Sequence, residues 1–189
     1  MDDDSARALA LEAAERLFTA RGIQTVGMDD LRNEAGISLK RIYGLFPSKD
    51  AIVEQVLVRL NRSWMQGVIE FGERVDSPRD KMLAVFDFLE DRFRQGDYRG
   101  CVFINAFGEL GPTAPLVAEV VRRHKADFQS YVTGLVESAG APGSLAPQLV
   151  LLAEGAQSTA GIFGDPGPAS QARAAAATLI DAALASARA

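Results

Sequence analysis

Between Met28 and Lys49 the chain leaves room for only two short helices, because Gly36 interrupts the helical spacing and Pro47 closes it. Within this stretch Leu31, Ala35, Ile37, Ile42 and Phe46 recur at intervals that pack the two helices on each other. Lys40, Arg41, Tyr43 and Lys49 are left over to face outward. Two short helices joined by a glycine-containing turn, with basic residues on the second, form the pattern of a helix-turn-helix that lays a helix in a DNA groove.

The remaining sequence is helical in its spacing almost throughout, with no internal repeat and no strand-like alternation of useful length. An all-α fold is expected. A first helix runs from about Ser5 to Ala20, with Ala10, Ala14, Leu17 and Phe18 on one face and Gly22 as its stop. Ser48 has the chemistry of an N-cap for a long connecting helix carrying Ile52, Val53, Val56, Leu57, Leu60, Trp64 and Val68 in register. Ser77-Pro78 restarts the chain with a cap residue and proline at the first helical position. Further helices are expected over about 101–110, 116–136 and 145–163, and from 168 to near Arg188. The division expected is a helix-turn-helix domain over residues 1–50, with the motif at about 27–46, and a helical ligand-binding and dimerisation domain over 51–189.

Charge and composition narrow the function. The net charge of −5 gives no bulk support to nucleic-acid binding, and residues 1–60 carry eight Lys/Arg against ten Asp/Glu. Residues 37–49, however, hold three basic side chains and no acidic one, and phosphate contact depends on local charge. Modest affinity and strong salt sensitivity follow. The acidic Met-Asp-Asp-Asp start is unlike a secretory signal, and no apolar run is long enough to cross a bilayer, so a cytoplasmic location without membrane contact is expected. Cys101 is the only cysteine and His124 the only histidine, which leaves no intrachain disulfide and no paired-histidine or thiolate metal site. No cofactor, metal or catalytic residue is expected, because phosphate-cradling and dinucleotide glycine motifs are missing. The last 64 residues hold two basic and five acidic side chains, too few for a mostly wetted helix pair. With the small residues Ala174 to Ala177, Ala182, Ala183 and Ala185, they form a candidate homodimer face that would build a four-helix bundle with its twin.

Residues 10 to about 56 resemble the tetracycline-repressor (TetR) family of bacterial transcription regulators. The resemblance rests on Ala14, Leu17-Phe18, Gly22, Asp30-Leu31, Ala35-Gly36-Ile37-Ser38, Ile42-Tyr43 and Phe46-Pro47-Ser48-Lys49-Asp50. It implies a three-helix reading head, a connecting fourth helix and a dimeric ligand-sensing domain, with DNA released when a small molecule binds. It also implies that Leu39, Lys40, Arg41, Tyr43 and Gly44 lie on the recognition helix and that Tyr43 and Lys49 occupy positions contacting the DNA backbone. Met28 and Asp29 match the start of the second helix, where a phosphate contact is frequent. Val26 stands where a Thr is usual, Arg32 replaces a small residue, and Lys40-Arg41 and Gly44-Leu45 depart from the usual pairs. The operator therefore cannot be borrowed from relatives. Lys40 or Arg41 could read guanine or simply neutralise phosphate.

Double-stranded DNA with a near-palindromic operator and a largely apolar effector are the expected partners. Trp64, Phe86, Phe107 and Phe128 are candidates to line the effector pocket, although helical spacing alone makes such residues ordinary core. Asn105, Glu109, Gln129 and Gln157 are polar residues among apolar neighbours. In the run 122–125, His124 is expected on a solvated helix face. Cys101, in an apolar Cys-Val-Phe-Ile context, is expected as a small buried hydrophobe rather than a redox sensor. The alternative is a helical dimer that binds a small molecule or protein without DNA.

Overall fold

The computed structural model describes residues 1–96 and 98–187. Among these it contains nine helices and no strand: α1 (Asp3–Arg21), α2 (Met28–Ala35), α3 (Leu39–Leu45), α4 (Lys49–Glu73), α5 (Pro78–Phe93), α6 (Val102–Leu110), α7 (Pro115–Ser138), α8 (Leu145–Phe163) and α9 (Gly167–Ser186). The expected end of the last helix near Arg188 lies outside the described residues. Local chemistry sets the boundaries. Ser38, Ser48 and Ser77 each accept a hydrogen bond from a backbone N–H three residues on, capping α3, α4 and α5. Gly36 ends α2 at φ 67°, a left-handed conformation that a β-carbon would strain, and this turns the chain into α3.

The chain divides into two compact units, one of Met1–Arg62 with Val102–Arg123, the other of Ser63–Cys101 with His124–Ala189. Contacts thus group residues 102–123 with the N-terminal segment, which a single break after residue 50 does not anticipate. In the first unit α1 packs on both α2 and α3, and α2 packs on α3. The inner face of α1 is built from Ala6, Ala10, Ala13 and Ala14, with Leu11 and Phe18, all buried. Leu31, Ala35, Ile37, Ile42 and Phe46, the residues whose spacing predicts the helix pair, are buried here. Arg7 lies over the Phe46 ring at 4.8 Å and donates to Gln55 Oε1, tying α1 to the early part of α4.

In the second unit α9 packs on α8 and α5, and α5 packs on α8. Trp64 is the hub of its aromatic cluster, meeting Phe88, His124 and Phe128 edge-on with ring centroids 5.2, 5.1 and 5.0 Å away. His124 corrects the sequence reading, for it is 1% exposed rather than solvated. Successive helical residues turn about 100° from one another, so the run 122–125 sweeps across the α7 surface. His124 falls one turn before Phe128 and takes the inward side, while Arg122 and Arg123 remain outside.

Burial, and secondarily the neighbouring Lys125 charge, lowers the His124 pKa to about 3. The folded imidazole is therefore neutral where the unfolded one, with its ordinary value of 6.5, begins to protonate. Stability is present above pH 6.5 and is lost as pH falls toward 3. Unfolding by denaturant at pH 7.5 and pH 5 should show the wild-type protein losing ~2 kcal/mol more than His124→Phe over this interval. Parallel pH profiles for the two proteins would refute the buried neutral imidazole.

Candidate nucleic-acid interface

Helix α3 is seven residues long and is held from beneath by buried Ile42 and Leu45. Helical spacing places Lys40, Tyr43 and Gly44 on the opposite side, and all three are exposed. Tyr43 keeps 53% of its surface open. Gly44 stands out, since a β-carbon placed there would meet nothing within 4 Å. The fold itself gives no steric reason for glycine inside this helix, where it costs helical stability. Leu39 is half-buried at the start of α3, between the core and the outer side.

Arg41 does not project freely. Its guanidinium pairs with Asp3 Oδ1 at 2.5 Å and donates to the Met1 carbonyl at 3.3 Å. Both side chains are well exposed, so this pair adds little to folding, but it sets where the Arg41 charge rests. At the start of α2, Met28 is half-buried and Asp29 is exposed, with Asp29 paired to Arg32 at 3.1 Å. Arg32 also donates to Asn33, so its long side chain lies along the α2 surface. Asp30 accepts the Gly27 N–H at 2.7 Å, and that bond holds its carboxyl below the usual carboxylate range. Val26 is 1% exposed, so the position where a Thr hydroxyl is usual points into the core in this chain.

Lys49 is placed differently from the other basic residues. Its ammonium donates to the Ile23 carbonyl at 2.6 Å and lies 6.0 Å from the Phe18 ring centroid. Partial burial holds its pKa below the ordinary lysine value, against the pull of Asp50, Glu109 and Asp30. The side chain thus fastens α4 to the α1–α2 connection. That same connection is held by α6, since Glu109 accepts the Gln24 backbone N–H at 2.7 Å and the Glu109 carbonyl accepts from Gln24 Nε2. Sequence spacing gave Glu109 only as an isolated polar residue, because its partner lies 85 positions away.

Of the effector candidates, Trp64 and Phe128 touch, and Phe86 is buried in the same core of the second unit. Phe107 belongs to the first unit, is 41% exposed and has the Arg122 guanidinium 5.8 Å from its ring. Gln157 is buried, Gln129 is exposed, and Cys101 is buried with the Lys125 ammonium 3.5 Å from its sulfur. Among the described residues no group of three His, Cys, Asp or Glu side chains could hold a metal ion, and no helix is long and apolar enough to cross a membrane.

Comparison with known proteins decides the family. Residues 10–56 match the family of bacterial regulatory proteins of the tetR type, and residues 78–176 match the tetracyclin repressor-like C-terminal domain. The chain belongs to the TetR family. Its members are transcription regulators with a helix-turn-helix DNA-binding domain. A TetR-family transcriptional regulator from Streptomyces coelicolor superposes with a TM-score of 0.84 at 28% identity, over 97% of this chain and 96% of that one. A TetR transcriptional regulator from Streptomyces avermitilis gives 0.82 at 31% identity, over 94% and 97%. Among curated relatives, the HTH-type transcriptional regulator EthR of Mycolicibacterium smegmatis is 28% identical over 135 residues, 71% of this chain. The match spans 55% of that relative, about half its length.

The placement of the two lysines separates their effects. Lys49→Met should destabilise the protein by about 1 kcal/mol through loss of a charged hydrogen bond. Lys40→Ala should leave the thermal midpoint unchanged while lowering DNA affinity and reducing the salt slope by about one ion. Thermal unfolding together with a fluorescence-anisotropy salt series reads both. Equal thermal midpoints for the two variants would exclude the tether.

Proposed function

We propose that this protein is a homodimeric TetR-family repressor that holds α3 in the major groove of a near-palindromic operator and is released by a small-molecule effector. It would work in the cytoplasm, with residues 1–50 as the reading head and residues 51–189 sensing the effector and dimerising. The observation that carries this reading is the outward side of α3. Lys40, Tyr43 and Gly44 lie there on a short helix fixed from beneath by Ile42 and Leu45. The ammonium and the phenol suit phosphate, and a glycine with open space above it admits a close approach by the sugar-phosphate backbone or a base edge. Arg41 would exchange Asp3 for DNA. Met28, Asp29 and Leu39 would border the contact, and Lys49 would act by holding the head rigid.

The dimer face is supported by α8 and α9. Leu151, Ile162 and Phe163 are 72, 78 and 76% exposed. With Gln148, Gly155 and Thr159 they run along one side of α8. Ala174, Ala175, Thr178, Ala182 and Ala185 are exposed on α9, which packs against α8. An apolar ridge beside a row of small residues suits the close packing of a four-helix interface. For the effector, the aromatic group of Trp64, Phe86 and Phe128 supplies apolar contact surface.

Anisotropy measurements with DNA flanking the protein's own gene, across a salt series, should find a palindromic fragment whose affinity falls steeply with salt. Absence of specific binding at every salt concentration would favour a DNA-silent binding module. Gly44→Ala should stabilise the protein by roughly 0.8–1 kcal/mol, yet weaken operator binding several-fold. Unchanged affinity would remove the close approach at Gly44. Leu151→Glu combined with Ile162→Glu should convert a dimer to a monomer in sedimentation analysis and abolish operator binding. A persistent dimer would place the interface elsewhere.

A further inference from the structure

Within the second unit, α7 and α8 enclose a polar group that neither the reading head nor the aromatic core uses. Lys125 Nζ donates to Glu154 Oε2 at 2.7 Å and lies 3.5 Å from Cys101 Sγ. The pair is partly open to solvent, with side-chain exposures of 30 and 21%. The other carboxylate oxygen, Glu154 Oε1, is buried without a hydrogen-bond partner, and so is Gln157 Nε2. Gln157 itself is 3% exposed. The Tyr98 hydroxyl donates to the Gln157 carbonyl at 3.1 Å, and its ring lies against Phe93 with centroids 4.6 Å apart.

Buried polar atoms in folded proteins are almost always satisfied, because an unmade hydrogen bond forfeits the hydration lost on folding. Here an orphaned acceptor and an orphaned donor occur three residues apart, on one side of α8. Residues at that spacing are neighbours on a helix surface, so one small molecule can meet both. Its chemistry is dictated by what is missing. Glu154 Oε1 requires a ligand donor, and Gln157 Nε2 requires a ligand acceptor. Lys125 already balances the Glu154 charge. An anionic ligand would face the carboxylate, and a cationic one would add charge beside the Lys125 ammonium.

We propose that Glu154 and Gln157 form a ligand subsite for a neutral small molecule bearing a hydrogen-bond donor next to an acceptor, such as a carboxamide on an apolar body. The Lys125–Glu154 pair is the part of this group partly open to solvent, and the Tyr98 hydroxyl, its ring against Phe93, bonds the Gln157 carbonyl beside it. As the polar anchor of the effector, this subsite rests on the effector-responsive function proposed above and specifies the effector's class.

The test uses the full chain with benzamide as probe and benzoate as its anionic match, read by calorimetry and thermal shift. Benzamide should bind and raise the thermal midpoint, whereas benzoate should bind at least tenfold more weakly. Gln157→Leu should fold with an unreduced midpoint and lose benzamide affinity at least tenfold. Gln157→Glu should transfer the preference from benzamide to the cationic benzamidine. Failure of benzamide to bind, equal binding of benzoate, or full benzamide affinity in Gln157→Leu would overturn the subsite and leave the two atoms to an internal water only. Operator release is scored separately. Gln157-dependent benzamide binding that leaves DNA bound would uphold the subsite while overturning its part in induction.

Discussion

The close approach of three helices in the first unit depends on the lack of bulk along one side of α1. Ala6, Ala10, Ala13 and Ala14 allow α2 and α3 to come near enough for Leu31, Ile42 and Phe46 to share a core with Phe18. Larger residues at those positions would force the helices apart, since packed interiors have few voids to absorb added methylenes. Helix α3, seven residues long, is too short to be stable alone. Its conformation is borrowed from this packing, from the Ser38 cap and from the turn at Gly36. The outward residues are consequently presented by a platform whose rigidity comes from side chains pointing the other way.

Most of the fold was legible because its signals are local. Serine caps, a proline at the first turn of α5, glycine stops and a 3.6-residue apolar period each act within a few positions. Together they mark the helices within one or two residues at several ends. The helix-turn-helix core was readable for the same reason, since all five spaced residues sit within one short stretch. What escaped was set by partners distant in sequence. No periodicity marks Lys49 as bound to Ile23, Glu109 as bound to Gln24, or Arg41 as paired with Asp3. Likewise, four consecutive basic or titratable residues read as a wet face, although a helix turns quickly enough to send His124 inward.

The second unit treats its polar groups in two ways. His124 is accommodated by remaining neutral among aromatic edges, a solution open to a weak base near neutral pH. Glu154 is accommodated by pairing, with Lys125 covering one of its two oxygens. Half-satisfied carboxylates are costly in an apolar setting. The two residues thus differ in that the imidazole of His124 is absorbed into the aromatic core, while Glu154 Oε1 is left without a hydrogen-bond partner.

Were Arg41 to contact DNA as proposed, its ion pair with Asp3 would bear on selectivity. Whatever draws the guanidinium onto DNA must first replace a carboxylate that already sits against it. A lone phosphate makes an almost even exchange, one anion for another. A guanine edge accepting two aligned hydrogen bonds offers more than the exchange removes. The aspartate would then weigh slightly against sites that supply charge alone, by no more than the modest worth of an exposed ion pair. With a competing genome made mostly of wrong sites, even a small bias of this kind would act on specificity rather than on raw tightness.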